Sequence, residues 1–144
     1  RRVTEWYETH IVFRYAGEDA PGEMPRYELG ELPEGFVENL ESQFVGTGMT
    51  AHFYENEKGD VILFEYIYMQ QGSLSGVNTE NAYVISVIVN DCEGLLVIPK
   101  EEDSNSMLMC LDPEQDLQFT LDAPLGQEDI LHMAESVHLV ETMK

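Results

Sequence analysis

The sequence predicts an α+β fold: a single antiparallel sheet of about seven or eight strands, built as a meander of hairpins, with an N-terminal and a C-terminal helix packed on one face. Two observations carry this. Strand-length apolar runs follow one another from residue 49 to residue 121, separated by short clusters of Asn, Asp, Gly and Pro. Helical spacing of apolar residues occurs only near the two ends, at Val3, Trp6, Tyr7, His10 and Ile11 and again at Ile130, Leu131, Ala134 and Val137.

The elements follow in order. A short helix over the Trp6 region runs into a strand from Ile11, where Ile11, Phe13 and Tyr15 alternate with Val12 and Arg14. Trp6 reads as core. Residues 16–26 hold Gly17, Pro21, Gly22 and Pro25 and form a loop. Tyr27-Glu28-Leu29 is extended, and Leu32-Pro33-Glu34-Gly35-Phe36 is a chain reversal. Pro33 pre-sets φ there, and Gly35 supplies a positive-φ position. Residues 36–44 fit either a helical stripe stopped by Gly46 or a bent strand. Met49, Ala51 and Phe53 alternate as in a strand, and Asn56-Glu57-Lys58-Gly59-Asp60 has hairpin-turn composition.

Residues 61–69 are apolar on both faces except at Glu65, which suits a central strand. Residues 70–81 are small and polar and form a loop. A nearly continuous apolar strand covers 82–89, and Asn90-Asp91 turns it into 92–98. Pro99 ends that strand, and Met107 begins the next, turned by Pro113 to Gln115. Leu117, Phe119 and Leu121 alternate with Gln118, Thr120 and Asp122, an amphipathic strand with one wet face. Pro124 to Gly126 opens the last helix, where Glu128 and Asp129 suit the positive end of the macrodipole. At 144 residues the chain reads as one domain: a preface over 1–26, a core over 27–138 and a tail over 139–144.

Charge narrows function. Twenty-eight acidic residues face 7 basic ones, a formal net charge of -21. Such a surface repels phosphate backbones and anionic headgroups, so neither nucleic-acid binding nor a polybasic membrane anchor is expected. No apolar run approaches the roughly 20 residues that span a bilayer. The chain starts at Arg1-Arg2 and reads as a piece of a longer protein, whose tether or signal would lie upstream of Arg1.

Chemistry-bearing residues do not assemble into a motif. His10, His52, His132 and His138 lie in separate elements, none paired at helical spacing with another ligand. Ser73, Ser75 and Ser104 lie in loops without an evident base. Gly46-Thr47-Gly48 lacks the lysine and helix of a phosphate cradle. Asp112, Glu114 and Asp116 have calcium-loop spacing, but Leu117 stands where the central glycine belongs and Ala123 where the closing Glu belongs. Glu101-Glu102-Asp103 reads as a solvated turn. No catalytic, metal or cofactor-binding residue is therefore assigned. Cys92 and Cys110 fall on neighbouring strands. Buried free thiols are the simpler reading, and a cross-strand bridge is geometrically open.

Several short stretches resemble one family. Tyr27-Glu28-Leu29-Gly30-Glu31-Leu32-Pro33-Glu34-Gly35-Phe36 resembles the tyrosine-to-LPEG opening of domain of unknown function 4367. Tyr54-Glu55-Asn56 before an apolar strand is similar to a later step. Asn78-Thr79-Glu80-Asn81-Ala82 resembles its TENA step, and residues 87–95 resemble its hairpin, with Asp91 in place of the usual turn glycine. Ala134-Glu135-Ser136-Val137 resembles its closing helix. The resemblance spans roughly residues 27–138. It implies the extracytoplasmic part of a membrane-tethered protein of a Gram-positive bacterium, in an anti-sigma-like or regulatory arrangement. It supplies no catalytic residues.

Two functions are expected from this. One is a non-enzymatic sensing or interaction module that meets a protein or cell-envelope partner through an apolar patch or sheet edge. The other is a binder of a small apolar ligand or lipid in a cavity between curved sheet and helices, motivated by two-faced apolar strands with Met69, Met107 and Met109 nearby.

Overall fold

A computed structural model describes residues 2–6, 10–15, 26–46, 48–68, 74–78, 81–101 and 104–140. Its main body is an antiparallel sheet, as the hairpin pattern predicts. The strands in chain order are β1 (Arg2–Trp6), β2 (His10–Tyr15), β3 (Arg26–Leu29), β4 (Val37–Glu38), β5 (Phe44–Gly46), β6 (Met49–Glu55) and β7 (Val61–Tyr68). They continue with β8 (Leu74–Asn78), β9 (Ala82–Val89), β10 (Cys92–Pro99), β11 (Ser106–Asp112) and β12 (Leu117–Ala123). Helix α1 (Gln127–Glu135) and strand β13 (Val137–Val140) close the described chain.

Eight strands form the central sheet. Its order is β4-β6-β7-β12-β11-β10-β9, with β5 sharing the outer side of β6 with β4. Local turn chemistry makes the hairpins. At Asn56 the side-chain Oδ1 accepts from the N–H groups of Lys58 at 3.0 Å and Asp60 at 2.9 Å, and Gly59 takes φ 86°. Asn90 and Asp91 take φ 49° and 66°, the paired left-handed conformation of a two-residue hairpin. Phe36 donates its N–H to the Pro33 carbonyl at 3.3 Å across the predicted reversal, with Gly35 at φ 89°.

The strand registers sort the side chains onto two faces. Ile62, Phe64 and Tyr66 stand beside Leu121, Phe119 and Leu108 on the face that α1 covers with Ile130, Met133 and Ala134. Each of these aliphatic or aromatic side chains stabilises the fold by about 1.5–3 kcal/mol on full burial. The β3–β13 pair joins α1 on this face through Tyr27, Leu29 and Val137. The opposite face carries a smaller cluster of Leu95, Val97 and Met109.

Four expectations need correction. Residues 2–6 are strand, paired to β2 from Arg2↔Tyr15 to Trp6↔Ile11, so the N-terminal helix is absent among the described residues. Val3, Thr4, Ile11, Val12 and Phe13 are β-branched or aromatic, and a partner strand satisfies the backbone that a lone short helix leaves marginal. The polar stretch 70–81 contains β8, which pairs with β2 despite Ser75 and Gly76, because a neighbour's ladder overrides weak propensity. Gln118 and Thr120 are buried, so β12 has no wet face; it is a central strand between β7 and β11. Val137 belongs to β13, and so do residues 139–140 of the expected tail; Met133 takes the buried place on α1. The ambiguous stretch 36–44 resolves into β4, a 3-10 turn (Leu40–Ser42) and the start of β5. Most of the loop at 16–26, together with Tyr7, Met69 and Ser73, lies outside the described residues.

Candidate functional site

A cavity of about 220 Å³ lies between the central sheet and its cover of α1, β3 and β13. Its floor is apolar, from Phe64, Phe119, Leu108 and Leu121; Ala134, Val137 and Leu139 line it from the cover, with Asn90, Asp112 and His138 as polar groups.

Tyr27 sits at its mouth, held on three sides. Its ring meets Tyr66 and Phe119 edge-on, with centroids 5.4 Å and 4.9 Å away. Its N–H donates to the Tyr66 hydroxyl at 3.1 Å, and its own hydroxyl accepts from Gln115 Nε2 at 2.6 Å. The same Gln115 nitrogen donates to Asp112 Oδ2 at 2.8 Å. Burial pushes the Tyr27 phenol up, the Gln115 bond partly offsets that, and nearby Asp112 adds to the rise.

The cover is pinned by one serine. Ser136 Oγ donates to the Met133 carbonyl at 2.5 Å and accepts from the N–H groups of Gly30 at 3.2 Å and Glu31 at 3.1 Å. Gly30 also donates to the Ser136 carbonyl at 2.9 Å, and a Cβ on Gly30 would sit 2.9 Å from that oxygen. Only glycine allows this approach. The two family-like stretches at 27–36 and 134–137 thus meet in space, although more than a hundred positions separate Gly30 from Ser136.

Cys92 and Cys110 both line the cavity, and neither takes part in a disulfide. They lie diagonally, since Cys110 faces Gly94 across the β10–β11 ladder. Cys110 Sγ lies over Gly94, where a Cβ would come within 2.5 Å of it. Burial pushes the Cys92 thiol up, and the carboxylates of Asp112, Asp91 and Glu114 push it further. A reactive cysteine needs the opposite environment, so Cys92 is held as an apolar wall group.

The histidines separate. His52 is almost fully buried on β6, and its Nδ1 lies 2.9 Å from Glu38 Oε2 on β4. Its ring stacks on Phe64 and Tyr54, and its Nε2 is buried without a partner. The Tyr54 phenol is pushed up by burial and then by the Glu38 and Glu28 carboxylates. His132 meets Glu31 at the surface, and His138 Nδ1 lies 3.1 Å from the Ser136 carbonyl. His10 is placed in β2. The sequence did not single out His52 and Glu38 as partners, because adjacency across β4 and β6 carries no local signal.

The other candidates fall into ordinary structural roles. Asp112 Oδ1 accepts from the Glu114 N–H at 3.0 Å inside the β11–β12 turn, and Asp116 takes φ 53° there. Gly46 and Gly48 flank the β5–β6 hairpin, and the Gly48 carbonyl accepts from the Tyr68 N–H at 2.9 Å. Ser75 lies in β8, and Ser104 donates its N–H to the Glu101 carbonyl at 3.4 Å. Glu102 and Asp103 lie outside the described residues. Met107 and Met109 stand on the face away from the cavity.

The architecture defines an α+β domain: one broad antiparallel sheet with a helix and a two-stranded flap closing one face. The chain belongs to the family described as Domain of unknown function (DUF4367), which matches residues 26–137. No curated protein and no solved structure matches it. The family bounds run from the start of β3 to the first residue of β13, so the matched segment takes in the whole central sheet, β3 and α1.

Proposed function

We propose that this chain is a non-enzymatic sensing and interaction domain, the extracytoplasmic part of a membrane-tethered bacterial protein with an anti-sigma-like regulatory role. Its partner is a protein or cell-envelope component, and its anchor lies upstream of Arg1. The observation that supports this is the β4–β5 edge. Val37, Leu40, Phe44 and Val45 are exposed there at 68%, 71%, 52% and 70%. Four large apolar side chains exposed along one edge favour contact with another molecule, whereas single exposed ones need no explanation. Glu34 and Glu41 are exposed on the same stretch of chain and Glu55 is exposed opposite Val37, so a partner that buries the apolar groups also meets carboxylates.

The test places a photo-crosslinking amino acid at Val37, Phe44 or Val45 of the intact protein in its host, with Glu57 as control. A discrete crosslinked product at the apolar positions and none at Glu57 is expected. The same products at all four positions, or none at any, would overturn the reading.

The cavity supports a second reading, a binder of a small apolar ligand. Its 220 Å³ lies just below the usual range of small-molecule pockets and exceeds an engineered apolar cavity known to take benzene. Native mass spectrometry of protein purified from its host separates the two. A co-purifying lipid-sized mass is the outcome expected of the ligand reading, and a bare 16.4 kDa chain counts against it.

A further inference from the structure

We infer that the free edge of β9 is a strand-addition site, and that it takes an extended, apolar polypeptide segment carrying lysine or arginine at one end. Among the described residues β9 pairs with β10 alone and ends the central sheet. Its backbone direction follows from one bond: Lys100 donates its N–H to the Asn81 carbonyl at 2.8 Å. Hydrogen-bonded and non-hydrogen-bonded pairs alternate in an antiparallel ladder, so Tyr83, Ile85, Val87 and Val89 direct their N–H and C=O groups toward β10. Pro99, which has no N–H, falls opposite Ala82 at a non-bonded position, in agreement. Ala82, Val84, Ser86 and Ile88 therefore direct four N–H and four C=O groups outward.

Among the described residues nothing guards this edge. Soluble proteins protect edge strands with charges, prolines, bulges or short length. β9 runs unbroken for 8 residues, Ala-Tyr-Val-Ile-Ser-Val-Ile-Val, without a charge or a proline. Tyr83 and Ile88 are 60% and 74% exposed, one on each face of the sheet. Free backbone groups in a row, flanked by apolar side chains on both faces, match the chemistry of an incoming strand.

Charge selects the occupant. At the Val89 end lie Asp91 in the turn and Glu93 opposite Ile88. At the other end Lys100 is already engaged over the Tyr83 ring, 5.1 Å from its centroid. A second copy would bring a formal charge of -21 against -21. A segment apolar at its centre and basic beside Ile88 and Asp91 meets both features.

The inference rests on the interaction reading above, but crosslinking at the β4–β5 edge tests that reading elsewhere on the molecule, so the two fail separately. The probe is a short fluorescein-labelled peptide of valine and threonine with two lysines at one end, followed by anisotropy at physiological salt. Its control has alternate amides N-methylated, with unchanged charge but no ladder. Wild-type protein is expected to bind the first and not the second. Ser86→Pro removes one outward donor without touching the β10 ladder and should weaken binding at least about tenfold. Ser86→Lys, which keeps the backbone donor and adds a like charge to the probe, gives the same direction if the proline variant does not fold. Glu57→Gln, in the β6–β7 turn, should bind as wild type. Equal binding of both peptides, or wild-type affinity in both folded Ser86 variants, would overturn the inference. Sedimentation showing a dimer that Ser86→Pro dissolves would overturn the choice of occupant.

Discussion

The two edges of the central sheet are built on opposite plans. At one edge β6 is covered by two fragments of 2 and 3 residues, β4 and β5, with a 3-10 turn between them. Their fastenings are side-chain specific. Asn39 donates its N–H to the Phe53 carbonyl at 2.8 Å, its Oδ1 accepts from the Glu41 N–H, and Glu38 reaches the buried His52. Glutamates line the fragments. At the other edge β9 is continuous and uncharged, its backbone held by the ladder to β10 and its side chains by packing into the core. The first edge is irregular backbone bearing exposed apolar side chains; the second is regular backbone with unused hydrogen-bonding groups. A sheet can therefore offer side-chain contact at one margin and main-chain contact at the other, and different substitutions abolish each.

The largest expected effect separates the two sides of β9 itself. Ile85→Pro removes an N–H directed at the carbonyl of Leu96, a residue with no exposed surface, and forces a fixed φ into the ladder. That should cost about 3 kcal/mol, the loss of a buried partner plus strain. Ser86→Pro, one residue on, should cost less than about 1 kcal/mol because its N–H faces out. Urea denaturation of the pair measures the difference. A larger loss for Ser86→Pro would mean that the backbone of β9 is directed the other way, and equal losses would mean that the Ser86 N–H is bonded as well; either would remove the strand-addition site.

This alternation also marks how far the sequence could be read. The hairpins at Asn56–Asp60 and Asn90–Asp91 were legible because turn chemistry is local: an Asn side chain captures its own backbone, and left-handed φ selects Asn, Asp and Gly. The closing helix was legible from its apolar spacing and its acidic first turn. Sheet order was not. β7 lies against β12, with Leu117 facing Tyr68, and no residue in either strand encodes that distance. Hence the apolar run of 82–89 reads as a strand without showing that β9 ends the sheet. The same limit hides Glu38 beside His52, and Tyr27 beside Phe119. Trp6 and its neighbours misled in another way, because helical spacing and strand propensity coincided and the pairing with β2 decided.

The irregular edge is sharpened by a smaller effect. Glu38→Ala leaves a second nitrogen of the buried His52 ring without a protein partner, at a cost of about 1–3 kcal/mol. His52→Phe keeps the stacking on Phe64 and Tyr54 and leaves Glu38 partly in water, so its cost should stay within about 1 kcal/mol. In the double variant most of the Glu38→Ala loss should vanish. Hydrogen exchange gives the local readout: the Asn39 N–H should exchange faster in Glu38→Ala, while the inward amides of β9 keep their protection. Equal loosening at both edges would show that they are one cooperative unit.

The smallest expected effect is the most direct test of what the exposed groups on β4 and β5 are for. Val37, Leu40 and Val45 each leave most of their surface in water, so replacing all three by serine or threonine removes little buried area. Each change should alter stability by no more than about 0.5 kcal/mol. The urea midpoint and slope should stay at their wild-type values, while any crosslinked product at Phe44 disappears. A folded-state requirement predicts the reverse: a loss of about 2 kcal/mol or more, with crosslinking at Phe44 retained in the fraction that folds. These outcomes exclude each other because a side chain already in solvent has little to lose on truncation, whereas a contact made only with a partner leaves the isolated domain unchanged.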